Sequence, residues 1–132
     1  MKYVIDTHAL IWFLEGNARL GSNAKNILSE PTSKLVIPAT ALAEAVWIVE
    51  HGRTSIPSVV SLLTFVNADP RAYVYPLNKD VIEKTIGLLA IREMHDRQIV
   101  ATALFIESQG EAVALLTYDQ NITASGLLTI IW

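Results

Sequence analysis

The chain of 132 residues contains no cysteine, no long apolar run and little charge of either sign. Without cysteine it has no disulfide framework, no thiol nucleophile and no cysteine-based zinc site, which fits a cytoplasmic protein. No apolar stretch approaches the roughly 20 residues that cross a membrane, and no basic segment followed by an apolar one marks a signal peptide. We therefore expect one domain over residues 1–132 with no membrane partner.

Basic residues are also scarce. Ten Lys and Arg residues stand against thirteen Asp and Glu residues, so the formal net charge is −3. This balance argues against a protein that holds nucleic acid mainly by neutralising phosphates, but not against an enzyme that reaches phosphates through metal ions. Hydrophobic residues, in contrast, make up 52% of the chain. This excess predicts either an apolar surface shared with another chain or simply a core rich in Leu, Ile and Ala.

Short apolar segments alternate with segments of helical period along the whole chain. Strands are predicted over 2–5, 34–37, 72–75, 112–117 and 128–131. Helices are predicted over 7–15, 22–29, 39–51, 58–67, 79–91, 96–109 and 120–125. Such alternation is typical of a parallel sheet that is covered on both faces. The expected fold class is α/β, a three-layer α/β/α domain with a mainly parallel five-stranded sheet.

Four acidic residues are predicted to meet at one edge of that sheet. Asp6 follows the first strand, Asp119 follows the fourth, and Asp96 starts a helix. Glu44 lies in the first two turns of the helix predicted over 39–51. In a parallel sheet the carboxyl ends of the strands and the amino ends of the returning helices share one edge. Asp is also a preferred N-cap, so capping alone would account for the three aspartates.

Glu44 is harder to explain as a structural residue. It is the only charged residue between Lys34 and Glu50, and its helix is otherwise apolar. A buried Glu needs a partner, here either a distant arginine or a cation. Two carboxylates ~4 Å apart repel by roughly 4 kcal/mol at an effective dielectric of 20, which favours a cation within the cluster. Oxygen ligands without cysteine suit Mg²⁺ or Mn²⁺, the ions of phosphodiester hydrolysis.

The segments around these acids resemble the PIN domain family, and more narrowly the VapC-type toxin nucleases of toxin–antitoxin pairs. The resemblance covers the whole chain and rests on Tyr3–Trp12, Glu44, His95–Arg97 with Ile99–Ala103, Leu116–Asp119 and the ending Ala124–Trp132. It implies an endoribonuclease that depends on Mg²⁺ or Mn²⁺ and leaves 5′-phosphate and 3′-hydroxyl ends. The catalytic and metal-binding residues that it implies are Asp6, Glu44, Asp96 and Asp119.

The resemblance also suggests residues around the acids. Thr7 and Thr117 flank the site and are expected to hydrogen-bond a carboxylate or a water on the metal. Independently of the resemblance, Arg97 follows Asp96 directly and is expected to contact a substrate phosphate, although a solvated helix start or an ion pair with Glu93 would also explain it. Many relatives carry a further acid just after the fourth one, where this chain has Asn121. The choice between one and two metals is therefore left open.

The partners implied by the resemblance are an RNA substrate, a small antitoxin protein and a second copy of the chain. We expect the helices predicted over 39–51 and 79–91 to contribute to a homodimer. The alternative function is a catalytically inactive PIN-like module that binds another protein. A signalling receiver domain also gathers acids at a sheet edge, but Pro76 follows the third strand here and no lysine lies beyond Lys84.

Overall fold

Strands and helices alternate along the chain in the computed structural model, which describes residues 1–132. The strands are β1 (Lys2–Ile5), β2 (Lys34–Pro38), β3 (Ala72–Tyr75), β4 (Val113–Leu116) and β5 (Thr129–Ile131). The helices are α1 (Thr7–Glu15), α2 (Ser22–Ser29), α3 (Ala39–Glu50), α4 (Val59–Ala68), α5 (Lys79–Lys84), α6 (Met94–Ser108) and α7 (Gln120–Ser125). The alternation predicted from the hydrophobic pattern is confirmed.

The five strands form one sheet in the order β3-β2-β1-β4-β5, and all four neighbouring pairs are parallel. The sheet is thus parallel throughout rather than only mainly so. The central strand β1 pairs with β4 so that Ile5 lies opposite Leu116. Because these strands end in register, the residues that follow them, Asp6 and Thr117, leave the sheet side by side. This pairing positions the candidate site.

The two faces of the sheet are covered by separate apolar clusters, as a three-layer fold requires. Neighbouring residues of one strand point to opposite faces, so Val4 belongs to one cluster and Ile5 to the other. Helices α1, α2 and α4 pack over Ile5, whereas α6 and α7 pack over Val4. Helix α3 contributes to both clusters, with Ala45 on the first and Ala41 on the second. This helix is therefore fixed from two sides, and it carries Glu44.

The helix predicted over 79–91 ends early, at Lys84. The Thr85 hydroxyl donates a hydrogen bond to the carbonyl of Ile82 at 2.6 Å, and the chain leaves the helix there. Gly87 then adopts a left-handed conformation with φ 86°, which an α-helix does not contain and which glycine adopts readily. The apolar pattern that predicted a longer helix extends past Lys84 because Ile91 is fully buried in the core. Ile91 nevertheless lies outside the helix.

Part of the apolar excess lies on the surface. Val60 and Phe65 of α4 are 75% and 52% exposed, and Ile86 and Leu89 after α5 are 79% and 77% exposed. Isolated exposed apolar residues are normal, but two large ones on each of these segments mark candidate contact surfaces. The homodimer stays a prediction. Among the helices, none combines the length and the apolar character needed to cross a membrane.

Candidate active site

Asp6 lies at the carboxyl end of β1, where its side chain caps α1 as predicted. Its Oδ1 accepts a hydrogen bond from the backbone N–H of Thr7 at 2.7 Å. Its Oδ2 accepts one from the hydroxyl of Thr117 at 2.5 Å. Burial raises the pKa of Asp6, although these hydrogen bonds and the nearby His8 oppose the shift. Both oxygens are therefore held in a fixed orientation while the surroundings disfavour the negative charge.

Glu44 is joined to the same strand end through Thr7. The buried Thr7 hydroxyl donates to Glu44 Oε1 at 2.8 Å. The other oxygen, Oε2, lies 3.7 Å from Nδ1 of His95. Burial raises the pKa of Glu44, and the hydrogen bond from Thr7 and the charge of His95 partly offset this effect. The structure thus pairs Glu44 with a hydroxyl and a histidine rather than with an arginine.

Asp96 lies in the first turn of α6, and the prediction that it caps this helix is wrong. The N-cap is Glu93, whose Oε2 accepts the backbone N–H of Asp96 at 2.8 Å. The helix therefore begins before Asp96, and no protein group donates a hydrogen bond to the Asp96 carboxylate. The capping explanation therefore does not apply to Asp96.

The surroundings of Asp96 also oppose its ionisation. Desolvation and the charges of the nearby carboxylates, above all Asp6 and Asp119 and then Glu93 and Glu44, raise the pKa of Asp96 to about 7. Such a shift by burial together with identifiable charges is typical of a functional site.

Asp119 follows β4 and caps the short helix α7, as predicted. Its Oδ1 accepts the backbone N–H of Ile122 at 2.9 Å. The backbone N–H of Asp119 itself donates to the hydroxyl oxygen of Thr117 at 3.1 Å. The Thr117 hydroxyl therefore links Asp6 and Asp119, because it donates to the first and accepts from the second.

All four predicted acids line one cavity of about 330 Å³ at the carboxyl edge of the sheet. Its full lining is Asp6, Thr7, His8, Ala9, Glu44, Glu93, Asp96, Tyr118 and Asp119. As the side chains are placed, no three of them form a group that could hold a metal ion. The donor chemistry nevertheless fits Mg²⁺ or Mn²⁺, because the acids offer only oxygen and their mutual repulsion favours a cation.

Arg97 is the one predicted site residue that lies elsewhere. It lines a separate cavity, and its Nε donates a hydrogen bond to the backbone carbonyl of Ile91. Its contact with a substrate phosphate therefore stays a prediction. Conversely, Glu93 lines the acidic cavity although the sequence did not single it out. Because Glu is not among the preferred N-cap residues, no local pattern indicated that Glu93 caps this helix and borders the site.

Comparison with known proteins gives a consistent family and fold. The sequence matches the PIN domain family over residues 3–125. A search of curated protein sequences finds no significant match.

Three solved structures share the fold over nearly the whole chain. VapBC2 from Rickettsia felis, bound to a DNA fragment from its promoter, has a TM-score of 0.72 and 15% identity and covers 99% of this chain and 98% of that one. Mycobacterium tuberculosis VapC20, a toxin that cleaves the sarcin–ricin loop, has a TM-score of 0.69 and 16% identity, with 95% of each chain covered. VapBC-1 from nontypeable Haemophilus influenzae has a TM-score of 0.66 and 19% identity and covers 99% of this chain and 97% of that one.

Proposed function

Because the chain belongs to the PIN domain family, we propose that it is a metal-dependent endoribonuclease and the toxin of a toxin–antitoxin pair. The observation that carries this proposal is the single cavity around which Asp6, Glu44, Asp96 and Asp119 lie. The similar structures add support, since two of them are VapBC structures and one is a toxin that cleaves the sarcin–ricin loop.

The proposed metal ligands are the carboxylates of Asp6, Glu44, Asp96 and Asp119. Bound Mg²⁺ or Mn²⁺ would supply a water of lowered pKa and would offset the negative charge of the scissile phosphate. Thr117 and Thr7 hold Asp6 Oδ2 and Glu44 Oε1 through their hydroxyls, which keeps these two carboxylates oriented without cancelling their charge. Asp96 has no protein donor, so its side chain is free to turn toward a cation.

In the proposed reaction a water oxygen forms a bond to the phosphorus while the bond from phosphorus to the 3′ oxygen breaks. The products then carry 5′-phosphate and 3′-hydroxyl ends. Exclusion of bulk water is modest, because Asp96 and Glu44 are only half-buried. His95 lies between Glu93 and Glu44, with Nδ1 3.1 Å from Glu93 Oε1, and in this proposal it orients the two carboxylates.

The proposed partners are an RNA substrate, a small antitoxin that covers the site, and a second copy of the chain. Two of the three similar structures are complexes named VapBC, which supports the antitoxin as a partner. The homodimer is supported by the exposed apolar side chains of α4 and of the segment after α5. A cytoplasmic location is proposed from the lack of cysteine.

The test uses the purified chain, free of any antitoxin, with end-labelled single-stranded and hairpin RNAs in Mg²⁺, in Mn²⁺ and in EDTA. Asp96→Asn removes one proposed ligand with little change of shape, and Glu107→Gln is the matched control on the exposed part of α6. We expect cleavage that needs metal, leaves 5′-phosphate ends, is lost in Asp96→Asn and is kept in Glu107→Gln.

Two results would contradict the proposal. Cleavage that persists in EDTA or in Asp96→Asn would exclude the acidic cavity as the catalytic centre. Intact RNA together with no calorimetric signal for Mn²⁺ binding would favour the alternative, a catalytically inactive module that binds another protein.

A further inference from the structure

A second cavity of about 330 Å³ lies beside the acidic one and shares His8 with it. It runs between α1 and α3, whose residues Trp12 and Trp47 line its two sides. From His8 to Glu15 the cavity follows α1 for about 10 Å, at about 1.5 Å per residue. A chain that passes through the acidic cavity would therefore enter this second cavity within a few nucleotides.

Two arginines border the second cavity, and each lies over a tryptophan ring. The guanidinium carbon of Arg19 is 5.2 Å from the centre of the Trp12 ring, and that of Arg53 is 5.3 Å from the Trp47 ring. Both arginines are exposed, and neither forms a salt bridge. A guanidinium that rests on a ring keeps its N–H groups free for a phosphate, which it binds in a bidentate manner.

The only acidic residue of this cavity is Glu15, and its carboxylate already accepts hydrogen bonds within the protein. Glu15 Oε2 accepts hydrogen bonds from the Thr54 hydroxyl at 2.7 Å and from the backbone N–H of Ser55 at 2.9 Å. Its Oε1 accepts one from the side-chain amide of Asn17 at 3.1 Å. Glu15 thereby ties the loop after α3 to the end of α1, and Arg53 is part of that loop. The carboxylate fixes the position of Arg53 instead of neutralising it.

We propose that the cavity between α1 and α3 is a phosphate subsite, in which Arg19 and Arg53 bind backbone phosphates of the RNA strand next to the bond that is cut. The inference rests on the proposed function. A chain with a net charge of −3 has no general attraction for RNA. Local cations beside the acidic cavity would supply that attraction and would set the direction in which the strand lies.

The binding test uses Asp96→Asn as the background, so that the RNA is not consumed. The probe is a fluorescein-labelled single-stranded RNA of about 12 nucleotides and mixed sequence, followed by anisotropy at several KCl concentrations with constant Mg²⁺. Arg19→Gln and Arg53→Gln are compared with Lys34→Gln, which removes the same charge. Lys34 is exposed at the first residue of β2, on the opposite edge of the sheet.

We expect each arginine variant to weaken RNA binding about three- to tenfold near 0.1 M KCl and to lower the salt slope by about 0.7. Arg53→Lys should keep the salt slope, because it keeps the charge, and Lys34→Gln should leave both quantities unchanged. Thermal unfolding checks that every variant is folded. Equal losses in Lys34→Gln and Arg53→Gln would show non-specific attraction and would overturn the subsite, as would unchanged binding in both arginine variants.

Cleavage by the double variant Arg19→Gln/Arg53→Gln, with Asp96 intact, separates the two proposals. We expect at least a tenfold fall in kcat/KM with an unchanged requirement for metal. If the unmodified chain cleaves RNA and the double variant binds and cleaves it equally well, the subsite is wrong and the nuclease stands. If no RNA is cleaved but binding still depends on the two arginines, the cavity stands as a phosphate-binding site for RNA and the nuclease proposal fails.

Discussion

Replacing Asp96 by asparagine is expected to stabilise the metal-free protein while it removes the proposed activity. Burial and four neighbouring carboxylates raise the pKa of Asp96 to about 7. At a pH above that value the ionised carboxylate is held in surroundings that oppose its charge. Asparagine has almost the same shape and stays neutral, so the substitution removes this unfavourable charge without leaving a cavity.

The magnitude follows from the pKa and from the exposure of the side chain. The difference between the ordinary value of 3.8 and about 7 would correspond to roughly 4 kcal/mol if it were realised in full. Because Asp96 is only half-buried, solvent screens much of it, and we expect about 1 to 2 kcal/mol.

The sign of the pH dependence is fixed because the pKa in the folded state lies above that in the unfolded state. The penalty is absent below about pH 4, grows as the pH rises, and is complete above about pH 7. The unfolding free energy of Asp96→Asn should therefore exceed that of the unmodified chain by an amount that increases over this range.

The assay is urea unfolding in EDTA, followed by tryptophan fluorescence, at several values between about pH 5 and pH 8. Added Mg²⁺ should then stabilise the unmodified chain more than Asp96→Asn, because a ligand that binds only the native state shifts the equilibrium toward it. The control Glu107→Gln should change the unfolding free energy by less than about 0.5 kcal/mol. A variant that is less stable at about pH 8, or a difference that does not vary with pH, would refute the reasoning.

Three further predictions concern residues around the core. Thr117→Val should cost about 1 to 3 kcal/mol in urea unfolding and lower cleavage, and Thr117→Ser should restore both, because the buried hydroxyl serves two partners. The hydrogen bond and charge of Arg71 hold the pKa of Asp69 below its ordinary value of 3.8. Asp69→Asn should therefore lower the unfolding free energy at about pH 7, and this loss should fade as the pH falls below about 4. Gly21→Ala should lower Tm, because its Cβ would lie 2.4 Å from the carbonyl carbon of Trp132.

The elements of the fold were predictable where short-range pattern and tertiary packing agree. The bounds of β3 and of α1 follow directly from apolar runs and from the flanking residues Asp6 and Gly16. The end of α5 was not predictable in this way. The apolar residues continue to Ile91 because the core needs that side chain, but Gly87 breaks the helix first. Hydrophobic periodicity indicates which residues are buried, but a buried residue need not be part of a helix.

The common edge of the acids was predictable from topology, and the resemblance indicated Thr7 and Thr117 as hydrogen-bond donors, but which hydroxyl serves which acid was not predictable. A parallel sheet brings strand ends and helix starts to one edge whatever the side chains do, so Asp6 and Asp119 were expected at one edge. The pairing of β1 with β4, which the sequence did not predict, makes them neighbours. The hydroxyl that links them belongs to Thr117, 111 residues from Asp6, and the partner of Glu44 is 37 residues away. Such pairings depend on strand register and side-chain rotamers, which no local pattern determines.

The hydrogen-bond donors beside Asp6 and Glu44 explain how the cavity can keep its negative charge and still have oriented carboxylates. A guanidinium beside Asp6 or Glu44 would orient the carboxylate but would also cancel its charge permanently. The hydroxyls of Thr117 and Thr7 orient the same oxygens and leave the charge available. Burial and the charges of neighbouring carboxylates raise the pKa of Asp96, and a divalent cation among these acids would reduce their mutual repulsion. Asp96→Asn removes one of these negative charges, so it should gain less stability from Mg²⁺ than the unmodified chain does.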